Sequence, residues 1–84
     1  MMNSREVLNK AILEVVENQL RDLNPPATKE TFDRLLAEGL AQDEARRLIG
    51  CVVASEIFDI LKREQPYDED RYVKALRKLP ELPK

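Results

Sequence analysis

Apolar residues recur at three- and four-residue intervals along most of the chain, and prolines cut that pattern into segments of helical length. The cuts fall at Pro25-Pro26, at Pro66, and at Pro80 with Pro83. No Asn-Gly or Asp-Gly pair offers a hairpin turn. The pattern predicts an all-α fold: a compact four-helix domain over approximately 4–23, 25–38, 42–64 and 69–79, with the third helix central. One domain covers 1–84, and 80–84 reads as a loose C-terminal tail.

The first segment opens on Asn3, a good N-cap, with Glu6 three residues on. Its apolar positions include Val7, Leu8, Ile12, Leu13, Val15, Val16, Leu20 and Leu23. They cover roughly 240° of a helical wheel, far wider than the stripe of about 100° that one neighbour covers. This helix therefore needs packing partners on more than one side. For the second segment, either Asn24 caps a helix with Pro25 at its first position, or Thr28 is the cap and Pro25-Pro26 a linker. Gly39 suits a left-handed C′ position, and Leu40 beyond it is spaced to touch Leu35 in a Schellman ending.

The third segment has a poor cap residue, Ala41, with Glu44 placed to reach back to its N–H. From Leu48 to Ala54 it is apolar all round, as a buried central helix would be, although its β-branched residues leave a strand there as an alternative. Gly50 and Ala54 form a small patch that admits a close neighbour, and Ile57, Phe58, Ile60 and Leu61 extend the expected core. The fourth segment has Asp68 as cap, acids in its first turn and bases in its last, an order that suits the helix dipole. Tyr67 and Tyr72 are spaced as a hydrophobic staple.

Composition narrows the chemistry. The 84 residues include no His and one Cys, which removes ordinary zinc, haem, His-triad and Glu-x-x-His di-iron sites. No catalytic residue, metal ligand or cofactor is expected. Asp68-Glu69-Asp70 lacks the glycine and spacing of a calcium loop. Cys51 cannot form an intrachain disulfide and reads as a small buried hydrophobe. No apolar run approaches a membrane span, and the acid at Glu6 argues against a signal peptide, so a microbial cytoplasm is the expected location. A net charge of −2 makes nucleic acid an unlikely partner.

Glu56 is the charged residue that looks misplaced, because it shares a face with Ile49, Val52 and Ile60. A carboxylate there needs a partner, and Arg71 or Tyr72 is the obvious one; unpartnered, it would suit an enzyme or small-molecule site. Residues 32–49 have the outline of a helix-turn-helix, and also that of a ubiquitin-associated domain, but the second helix is mostly core and longer than the latter needs.

The ordered string Asn24-Pro25-Pro26, Arg34-Leu35, Glu38-Gly39, Glu44-Ala45, Leu48-Ile49, Glu56-Ile57, Pro66, Asp68-Glu69, Arg71-Tyr72 and Leu79-Pro80 resembles short bacterial helical proteins that form a domain of unknown function. The resemblance covers residues 24–80 and implies no activity or functional residue.

A chain this short has limited area for internal burial. The wide arc on the first helix leads to the expectation of a small non-catalytic protein acting through association, with itself as a homodimer or with another protein. The expected interface is Leu8, Ile12, Val15, Val16 and Leu20. The alternatives are a nucleic-acid-associated regulator using 32–49, and a binder or enzyme centred on Glu56.

Overall fold

The computed structural model describes residues 3–82. Four helices follow one another: α1 (Ser4–Asp22), α2 (Pro26–Ala37), α3 (Gln42–Arg63) and α4 (Glu69–Lys78). There is no strand among the described residues, so the strand alternative at 48–54 falls. α3 touches each of the other three helices and is central. The core joins Ile12 and Val16 of α1, Phe32 and Leu35 of α2, Ile49, Val52 and Val53 of α3, and Tyr72 and Leu76 of α4, with Leu79 just beyond.

The helix ends follow local chemistry. Asn3 accepts the Glu6 N–H at 2.9 Å, and Asp68 accepts that of Arg71 at 3.2 Å. α2 closes in a Schellman motif: Leu40 N–H donates to Leu35 C=O at 3.1 Å and Gly39 N–H to Leu36 C=O at 3.0 Å, with Gly39 at φ +99°. The Tyr67 and Tyr72 rings lie 6.2 Å apart, closing the staple on α4. The C-terminus of α4 is held by Arg34, which donates to the Leu76 and Arg77 carbonyls at 3.2 and 3.5 Å.

Neither reading of the α2 start holds. Pro25 occupies the cap position without a side-chain bond and Pro26 is the first helical residue. Thr28 is buried and spends its hydroxyl on α1. Glu44 likewise stands 4.0 Å from Arg47, leaving Ala41 without a side-chain cap. The tail reading at 80–84 lies partly outside the described residues; within them, Glu81 N–H closes a turn on Lys78 C=O at 2.9 Å.

α1 and α3 run antiparallel. A Cβ added at Gly50 would stand 3.3 Å from Cγ2 of Ile12, so α1 crosses α3 at that glycine. Further along α1, Glu17 pairs with Arg46, and the Arg46 guanidinium also covers the Phe32 ring at 5.1 Å. Moving up α1 therefore moves down α3. By this register the first turn of α1 stands level with Phe58, and the last turns of α3 extend past it. Residues 61–70 are all exposed.

Ile57, Phe58 and Leu61 thus fail to continue the core: they are 39, 60 and 75% exposed, while Ile60 is half-buried. Their spacing is right for a core helix, but among the described residues no helix packs over Phe58 and Leu61, and Ile57 is only partly covered.

Two backbone sites give stability predictions of opposite sign. At Gly39, where a Cβ meets nothing within 4 Å, Gly39→Ala is disfavoured by conformation alone and lowers unfolding free energy by about 1–2 kcal/mol. At Glu64, an exposed residue with φ 54°, Glu64→Gly relieves the same conformation and raises it by about 0.5–1 kcal/mol. Urea unfolding monitored by circular dichroism checks both.

Candidate functional site: two polar junctions and an uncovered apolar face

Glu56 is buried and paired. Arg71 Nη2 donates to Glu56 Oε1 at 2.6 Å, and Arg71 Nε lies 3.2 Å from both carboxylate oxygens. Arg71 Nη1 also donates to Gln65 Oε1 at 3.3 Å. The hydrogen bond to Glu56 raises the Arg71 pKa above its ordinary value. One guanidinium therefore ties α3, the 64–68 connector and α4 together. Of the two partners considered for Glu56, the structure selects Arg71.

Tyr72 serves a different junction. Its hydroxyl donates to Gln19 Oε1 at 2.7 Å, and the Thr28 hydroxyl donates to the same oxygen at 2.8 Å. One amide oxygen thus joins α1, α2 and α4. Burial pushes the Tyr72 phenol up to about 12. Gln19 was missed from sequence, yet it carries a readable signal: it stands three after Val16 and seven after Ile12, on the core side of α1. Every buried side-chain nitrogen and oxygen among the described residues has a hydrogen-bond partner. Glu56, Arg71 and Tyr72 each have their polar partners within the chain.

The expected interface on α1 divides. Ile12 and Val16 are 8 and 0% exposed and belong to the chain's own core, which leaves Val16 no surface to offer a partner and Ile12 very little. Leu20 is half-buried against that core. Leu8 and Val15 stay exposed, as do Val7 and Leu13. The physical reason is that α2 and α3 together cover the middle of the apolar arc and leave both its flanks open.

Beside Leu13 an open groove of about 620 Å³ runs between α1 and α3, with Ile12, Gly50, Cys51 and Ala54 along its apolar floor. Cys51 is half-buried and lines this groove, which corrects its reading as a fully buried residue. Glu17, Asp43, Arg46 and Arg47 also line it. In the 32–49 segment, Phe32, Leu35, Ala45, Leu48 and Ile49 are all buried, and Arg46 is engaged with Glu17. Among the described residues no three His, Cys, Asp or Glu side chains converge as a metal site would require, and no helix is long and apolar enough to cross a membrane.

No protein-family model matches the chain, and neither does any curated protein or solved structure.

The two junctions respond differently to change. The Tyr72 phenol titrates at 10 in an open chain and about 12 in the fold, so its stabilising effect is whole below pH 10 and fades as pH climbs toward 12. Through this group stability should fall by about 1 kcal/mol per pH unit across that window. Tyr72→Phe should remove that component of the slope, as measured by urea titrations at stepped pH. At the other junction, Arg71→Ala leaves the buried Glu56 carboxylate unpaired, whereas Glu56→Ala frees an arginine that can swing into water. Arg71→Ala should therefore lower the urea midpoint more than Glu56→Ala does.

Proposed function

We propose that this chain is a small non-catalytic protein that works through protein–protein association, as a homodimer. The carrying observation is its surface. A folded monomer of 9.7 kDa exposes about 5,100 Å², whereas this chain exposes 6052 Å². The difference of about 900 Å² is surface that the fold leaves open. The extended 64–68 connector supplies part of it. The apolar share lies on α1 and the second half of α3, where Leu8, Leu13, Ile57, Phe58 and Leu61 stand open to water.

A set of exposed aliphatic and aromatic side chains of this size marks an interaction surface. A second copy is the simplest partner, because it brings an identical apolar surface in a two-fold arrangement. The mixed charge of the chain gives no large basic field for nucleic acid. A cytoplasmic setting suits a single cysteine that stays half-exposed as a free thiol.

Sedimentation equilibrium from low to high micromolar concentration tests the reading. The expected result is a reversible monomer–dimer equilibrium. A single species of 9.7 kDa throughout would contradict it.

A further inference from the structure

Resting on the homodimer reading, we propose that the dimer forms by antiparallel docking of α3 onto α3 of a second copy, seated in the groove beside α1. Arg47, Cys51, Ala54, Phe58, Leu61 and Gln65 follow one another at alternating four- and three-residue steps. That spacing is the seam of a helix pair; the first five lie on α3 and fall within about 80° of the wheel, and Gln65 follows just beyond its C-cap. The middle four are half-buried or exposed, so nothing in the chain fully covers the seam.

The seam is self-complementary. Paired with its own copy about a two-fold axis level with the middle of the stripe, Phe58 meets Ala54 of the second copy, and Leu61 meets its Cys51. Each contact sets a large side chain against a small one, and the two-fold axis repeats each contact. Phe58 and Leu61 are the two most exposed large apolar residues on α3, at 60 and 75%. Cys51 and Ala54 form part of the groove floor, and Leu13, 43% exposed, stands across from them on α1. A helix lying there touches both walls. At the end of the seam Arg47, whose side chain is 64% exposed, meets Gln65 and the C-terminal carbonyls of the partner's α3, the negative end of that helix.

Extent separates this occupant from a small ligand. The open apolar side chains continue past the groove to Phe58 and Leu61, which do not line it, so the face is longer than a small molecule in a groove of about 620 Å³ would cover. The opposite flank of α1, with Leu8 and Val15, has no comparable groove beside it among those found.

The native thiol makes the geometry testable. In Leu61→Cys, the new thiol stands about 15 Å from Cys51 along the same helix, too far for an intrachain bridge. Across the proposed seam the two are neighbours. Mild oxidation with diamide should therefore convert Leu61→Cys to a reducible covalent dimer, and the double variant Cys51→Ser/Leu61→Cys should not cross-link. Phe58→Ala, a change at an exposed position, should raise the dimer dissociation constant at least about tenfold by sedimentation, while Val15→Ala leaves it within about twofold. A wild-type dimer whose Leu61→Cys variant stays uncross-linked, with Phe58→Ala without effect, overturns this seam and leaves the association reading standing. A wild-type monomer at all concentrations overturns both.

Discussion

The close crossing of α1 and α3 at Gly50 sets what the rest of this molecule can do. Without a Cβ at that point, Ile12 settles against the α3 backbone and fixes the register of the pair. The Glu17–Arg46 pair and the Phe32 ring beneath Arg46 hold the same register further along. Once that register is fixed, α1 begins level with Phe58, and the last turns of α3 keep α4 on one side and lie open on the side of Phe58 and Leu61. The uncovered apolar surface at the end of α3 is thus a geometric result of where two helices cross, and it adds to the open flanks of the broad arc on α1.

Two polar junctions keep the arrangement unique. The Gln19 amide oxygen receives hydroxyl donors from α2 and α4, and the Glu56 carboxylate receives the Arg71 guanidinium from α4. Hydrophobic burial alone would let these short helices slide. A half-buried acceptor with two donors at fixed distances resists sliding, because the displaced hydroxyls of buried Thr28 and Tyr72 are left unsatisfied. The polar groups most suggestive of chemistry are therefore engaged in holding the helices in place.

Much of this was legible in the sequence. The four helices, the Gly39–Leu40 ending of α2, the tyrosine staple and the need of Glu56 for a partner in Arg71 or Tyr72 follow from spacing and local chemistry. The faces turned to water were harder to read. Ile12 and Val16 look no different from Leu8 and Val15 in the sequence, since all lie on one broad apolar arc and only the tertiary crossing divides them. Ile57, Phe58 and Leu61 carry the spacing of core residues, and nothing local shows that α1 ends before it can cover them. Gln19 was passed over because a lone amide on an apolar face carries no charge to flag it, although its position matched the core.

The account's central claim is that a second copy covers the end of α3 that this chain leaves bare. The most direct measurement is an isotope-filtered NOE experiment on dimers assembled from equal amounts of labelled and unlabelled chain, which reports contacts between copies alone. The account predicts cross-peaks from the Phe58 ring to the Ala54 methyl of the other copy. A filtered spectrum in which the contacts between copies run through Leu8 and Val15, with none from Phe58, would contradict it.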